Sequence, residues 1–172
     1  GVKENIIRSF RERDCDITIC PATTSPEEVL KVNPDLVFLS NGPGDPEDLQ
    51  DVIENIKELV GKKPIAGICL GHQLLALTLG GQTSKLKFGH RGGNHPVKDL
   101  EENKVFITSQ NHGYYVSKIP ENMEVTHINL NDNTVEGMRH KTLPIYSVQY
   151  HPEACPGPKD NDYIFDKFLE LI

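Results

Sequence analysis

The sequence predicts an α/β domain: a three-layer sandwich whose central sheet is mostly parallel, with added antiparallel strands. Three observations carry this. In the first half, apolar runs without alternation, "DLVFLS" (35–40) and "PIAGI" (64–68), are interleaved with helical patterns, as in parallel strands covered on both faces. In the second half "KVFITSQ" (104–110), "EVTHINL" (124–130), "TVEGMRH" (134–140) and "PIYSVQY" (144–150) follow one another with no helix between, so several pair antiparallel. A closing helix over 160–172 places Ile164, Phe165, Phe168 and Leu169 on one face.

In chain order, Ile6, Ile7 and Phe10 have helical spacing, and "DITIC" (16–20) predicts a strand. Ser25-Pro26-Glu27-Glu28 starts a helix, with a capping serine, a proline in the first turn and acids near the positive end of the dipole. Asp45-Pro46 opens another, expected to run to about Val60, and a further helix is expected from His72 to Leu79. "GHRGGNHPV" (89–97) predicts a glycine-rich loop or hairpin. The chain enters its first helix at once from Gly1, where a domain of this pattern leads with a strand. The expectation is therefore one domain over 1–172 that lacks its first strand.

At 172 residues with 37% hydrophobic and 25% charged content, such a domain buries a core without a metal or disulfide staple. No apolar run is long enough for a membrane span. The net charge of −7 argues against a broad nucleic-acid surface. The four cysteines, at 15, 20, 69 and 155, include no C-x-x-C pair, and free thiols in a reducing cytoplasm are expected.

Gly67-Ile68-Cys69-Leu70-Gly71 has the form G-x-C-x-G, the thiol version of a nucleophile elbow between a strand and a helix. The glycines let strand and helix approach closely. The turn lifts the sulfur out at the carboxyl edge of the sheet, at a helix N-terminus that favours the thiolate. As an isolated pattern it is matched equally well by a small buried cysteine between packing glycines. A nucleophile needs a base, and "YSVQYHPE" supplies His151 and Glu153 two residues apart, pointing the same way on a chain that Pro152 holds extended. By itself His-Pro-Glu would be a polar turn; beside an elbow cysteine it completes a thiol, imidazole and carboxylate set. "SNGPGDP" (40–46) offers bare backbone N–H groups at Gly42 and Gly44, and with the N–H of Leu70 these could cradle an oxyanion, although a tight turn before a helix also wants Gly, Pro and Asp.

"GPGDP", "GICLGHQ" and "HPE" occur together in the order found in class I (triad) glutamine amidotransferases, and the sequence resembles that family. "KFGHRGGNHPV" (87–97) and "ITSQNHGY" (107–114) resemble, within it, the glutaminase domain of the small subunit of carbamoyl phosphate synthetases. The resemblance implies a flavodoxin-like three-layer fold and an N-terminal domain ahead of Gly1. It implies Cys69, His151 and Glu153 as the catalytic residues and Gly42, Gly44, Leu70, Gln73, Asn111, Gly113 and Tyr114 as glutamine and oxyanion contacts. It further implies a cysteinyl thioester and ammonia delivered to a large carbamoyl phosphate synthetase subunit. That partner uses ATP and bicarbonate, in pyrimidine or arginine synthesis. The chain itself is expected to hold no cofactor, and a G-x-x-x-x-G-K-[ST] phosphate loop is absent from it.

Two alternatives stand beside this: a glutaminase of the anthranilate or GMP synthesis type, and a catalytically silent scaffold. His90 and His95 lie close together, but no third ligand has metal-site spacing near them, so no metal is expected and a loop role at a subunit interface is preferred. Lys87 and Arg91 are expected as partner contacts, His72 as support for its helix start, and Cys15, Cys20 and Cys155 as structural or incidental.

Overall fold

The computed structural model describes residues 1–154 and 157–172, so the expectation for Cys155 lies outside the described residues. Its seven strands form one mixed sheet in the order β1-β2-β7-β6-β5-β3-β4. β1 (Val37–Leu39), β2 (Ile65–Ile68) and β7 (Ile145–Val148) run parallel. β6 (Val135–His140), β5 (Met123–Asn129), β3 (Gln82–Asp99) and β4 (Lys104–Lys118) extend the sheet through antiparallel pairings. The α/β architecture is as expected, with the parallel part confined to three strands and the antiparallel extension the larger share.

Helices cover both faces. α1 (Glu4–Arg11) and α5 (Tyr163–Leu169) pack Ile6, Phe10, Ile164, Phe165 and Phe168 on one side, against Ala66, Ile68 and Val148. α3 (Gln50–Leu59) and α4 (Leu70–Thr78) pack Ile53, Ile56, Leu74 and Leu75 on the other, against Ile65, Ile145 and Met138. Alternate residues of β2 and β7 thus serve opposite cores, which is why those strands are apolar throughout. α2 (Pro26–Lys31) begins at the expected cap: Ser25 Oγ accepts from the Glu28 N–H, and the Glu28 carboxylate accepts from the Ser25 N–H in return.

Two expectations need correction and a third is narrowed. "DITIC" forms no strand, because Ile17 alone turns toward the core while Ile19 is 62% exposed and no ladder partner lies alongside. The helix expected from Asp45 is interrupted: Asp45 caps a single 3₁₀ turn (Pro46–Asp48), the backbone leaves helical angles at Leu49, and α3 starts at Gln50. Of the two readings of the glycine-rich stretch 89–97, the hairpin holds and the loop does not. The stretch lies inside the 18-residue β3, where Gly89 (φ +71°) and Gly92 (φ +119°) accommodate bulges in a long ribbon with β4.

Candidate functional site

The elbow sits where β2 passes into α4. Cys69 has φ +56° and ψ −105°, a strained conformation for a side chain with a Cβ, and its N–H is tied to the Val148 carbonyl at 2.9 Å. Its neighbours explain why the strain is tolerated. A Cβ at Gly67 would come within 2.9 Å of the Gly71 carbonyl carbon, and one at Gly71 would drive into the Leu39 carbonyl oxygen. Only bare backbone lets strand, turn and helix meet this closely.

The end of β7 brings the second component. The His151 N–H donates to the Ser109 carbonyl at 2.9 Å, fixing the segment to β4. His151 Nδ1 lies 2.7 Å from Glu153 Oε1, so Nε2 is the ring nitrogen that the carboxylate does not engage. The sulfur of Cys69 and the ring of His151 line one cavity of about 410 Å³. Burial opposes charge on His151, but hydrogen bonding to Cys69 and Glu153 outweighs it and raises the imidazole from 6.5 to about 9. Burial likewise opposes charge on Glu153, and the His151 contact overcomes it, so the carboxyl lies below its ordinary range.

The same cavity is walled by Gly42, Gly44, Gln73, Asn111, Gly113 and Tyr114, six of the seven substrate contacts that the resemblance implied. The seventh, Leu70, lies behind the wall: its side chain is buried and packs against Gly42, where a Cβ would come within 2.6 Å of Leu70 Cδ2. Glu153 is also behind the wall, with its side chain fully buried. Gln73 lies on a buried part of α4. It is 3% exposed, and its Nε2 donates to the Tyr114 carbonyl at 2.8 Å and to Gln149 Oε1 at 3.0 Å. His72 is fully buried beneath the elbow, with Nδ1 2.9 Å from Ser147 Oγ; burial pushes its ring down to about 3, so it stays neutral.

Sequence reasoning missed Lys3 and Asn41 on this wall. Lys3 Nζ lies 3.4 Å from both His151 Nδ1 and Glu153 Oε1. Nothing local marks a lysine near the start of the chain as part of such a site. Arg91, expected as a partner contact, lines the cavity with its guanidinium anchored on the Phe88 carbonyl at 2.8 Å. His112, which also lines the cavity, gathers with His90 and Glu136 in a cluster, although no metal site had been expected there.

Comparison with known proteins decides the family. The glutamine amidotransferase class-I model matches residues 1–171. The chain belongs to the class I glutamine amidotransferases. It is 70% identical to the carbamoyl phosphate synthase small chain of Clostridium perfringens, covering 99% of this chain and 49% of that relative. It is 57% identical to the pyrimidine-specific small chain of Bacillus subtilis, covering 100% of this chain and 48% of that relative. The chain thus spans about half the length of the curated relatives it matches. Among solved structures, a candidate GMP synthase component from Thermoplasma acidophilum superposes with a TM-score of 0.84 at 26% identity, covering 98% of this chain and 86% of that one.

Proposed function

We propose that this class I amidotransferase chain is the glutaminase part of a carbamoyl phosphate synthase small chain. It hydrolyses the γ-amide of L-glutamine and passes ammonia to a large synthetase subunit in the cytoplasm. The observation that carries this reading is one cavity shared by the Cys69 sulfur and the His151 ring, with Glu153 2.7 Å behind the ring. The preference over a GMP-type or anthranilate-type partner rests on 70% identity to a carbamoyl phosphate synthase small chain, against 26% to the GMP-type neighbour.

In the proposed mechanism Cys69 gives its proton to His151 as the sulfur attacks the amide carbon. The oxyanion is held by the backbone N–H groups of Gly42 and Leu70, each such donor typically worth ~3 kcal/mol. Collapse of the tetrahedral intermediate breaks the C–N bond; the nitrogen takes the proton from His151 and leaves as ammonia. A γ-glutamyl thioester remains on Cys69. His151 then draws a proton from water, the hydroxide adds to the thioester, and glutamate leaves as the proton returns to sulfur. Glu153 orients the ring and stabilises its charged form, and Lys3 limits how far that charge is stabilised. Gln73, Asn111, Gly113 and Tyr114 supply neutral polar groups for the zwitterionic end of glutamine, with Gly44 shaping the loop beside them. No cofactor is assigned to this chain; ATP and bicarbonate are consumed by the partner.

A glutamine-analogue affinity label tests this directly. The full-length protein with its large subunit should gain one covalent adduct on Cys69, and Cys69→Ser should neither label nor hydrolyse glutamine while keeping the native circular dichroism spectrum. Turnover persisting in Cys69→Ser would remove the nucleophile assignment, and a folded, partner-bound protein that never labels would point to the scaffold alternative.

A further inference from the structure

His90 on β3 and His112 on β4 face each other across the ribbon, and Glu136 reaches them from β6. One ligating atom from each lies within 4.8 Å of the others. The two rings are 7% exposed as residues and Glu136 is fully buried. Among the described residues, His90 Nδ1 and Glu136 Oε2 find no hydrogen-bond partner.

Each side chain is oriented from behind. His90 Nε2 lies 2.6 Å from Asp132 Oδ2, so its proton belongs there and the Nδ1 lone pair points inward. Glu136 Oε1 accepts from Asn129 Nδ2 at 3.0 Å and stands 3.7 Å from His90 Nδ1. His112 Nδ1 lies 2.7 Å from the Tyr114 carbonyl, and Nε2 lies 2.8 Å from Gln110 Oε1. Thr108 Oγ1 donates to the His95 carbonyl at 2.8 Å, and Gln110 Nε2 donates to Thr108 Oγ1 at 3.0 Å, with the Gln110 oxygen toward His112.

Charge points the same way. Asp132 and Glu136 have ion-pair contacts, among the described residues, only with His90. Asp132 and Glu136 thus bring negative charge to the cluster that a divalent ion offsets. Ligands about 2.1 Å from a tetrahedral ion lie roughly 3.4 Å apart, near the His90–Glu136 spacing. Imidazoles backed by a carboxylate and a backbone carbonyl are the usual supports of metal-bound histidine.

We propose that His90 Nδ1, His112 Nε2 and Glu136 form a binding site for a divalent ion of the Zn²⁺ class, with Gln110 Oε1 at its margin. The ion ties β3, β4 and β6 together beneath the cavity wall at Asn111 and Gly113. The site adjoins the cavity of the proposed function through His112, which lines it, and makes no use of Cys69.

The test uses full-length protein stripped with chelator and alkylated at its thiols, so that cysteines cannot compete. Titration with ZnCl₂, followed by calorimetry and by metal analysis after dialysis, should show one equivalent bound at micromolar or tighter Kd. Glu136→Gln, which keeps the acceptor for Asn129, should weaken it at least ~100-fold. His90→Asn serves as the second variant should Glu136→Gln lose its native melting transition. No retained zinc, or equal affinity in either folded variant, would overturn the site and leave a protonated histidine cluster in its place.

Discussion

Two histidine–carboxylate pairs in this molecule are built alike and end differently. His151 meets Glu153 at 2.7 Å, and His90 meets Asp132 at 2.6 Å. Both rings are raised above their ordinary value: His90 first by its contact with Glu136, against burial, and His151 by Cys69 and Glu153, also against burial. What differs is the group beyond the second nitrogen. For His151 it is a sulfur at a strained turn on an open cavity; for His90 it is a buried carboxylate and another imidazole. The pair itself sets a tautomer and a direction. Chemistry follows from whether the far nitrogen meets something that can exchange a proton or something that can share an ion.

Breaking the first pair has the largest expected effect. His151→Asn keeps a polar group of similar reach but cannot shuttle protons, and glutamine hydrolysis should fall at least ~10³-fold in kcat with KM little changed. Steady-state ammonia release measures this, and loss of no more than tenfold would mean that His151 is not the acid–base group. The matching change in the second pair is smaller and has a different readout. Asp132→Asn leaves all three proposed ligands in place and removes only their orientation, so zinc affinity should drop ~10–100-fold, as read by calorimetry. An effect on affinity as large as that of Glu136→Gln would make Asp132 a ligand rather than a support.

The contrast also explains what the sequence could disclose. The first site was legible because its chemistry is local: Gly67 to Gly71 packs the elbow into five residues, and His151 and Glu153 are two apart. The apolar runs at 64–68 and 144–150 lead into the two pieces, and as neighbouring parallel strands they bring them together at one edge of the sheet. The second site was not legible. Its residues come from three strands between 90 and 136, joined by a bulged ribbon whose glycines resemble a loop in one dimension. Lys3 escaped for the same reason, since only the packing of α1 beside β7 carries it to Glu153. "DITIC" failed in the opposite sense: strand-like composition without a partner strand makes no strand.

The smallest expected effect lies in the pH dependence of stability. A histidine raised in the folded protein binds protons more tightly there than in the unfolded chain. For His151 the contribution is complete below about 6.5 and is lost as pH rises through about 9. Glu153, held below its ordinary value, contributes above about 4.5 and loses this only toward acid. Their coupling is therefore greatest between these limits. Glu153→Gln removes it, so its melting temperature should fall a few degrees below wild type near pH 6, and the gap should close as pH approaches 9–10. A gap that stayed constant from pH 6 to 10 would mean that the raised His151 owes nothing to Glu153, and that orientation alone distinguishes this pair from the one around His90.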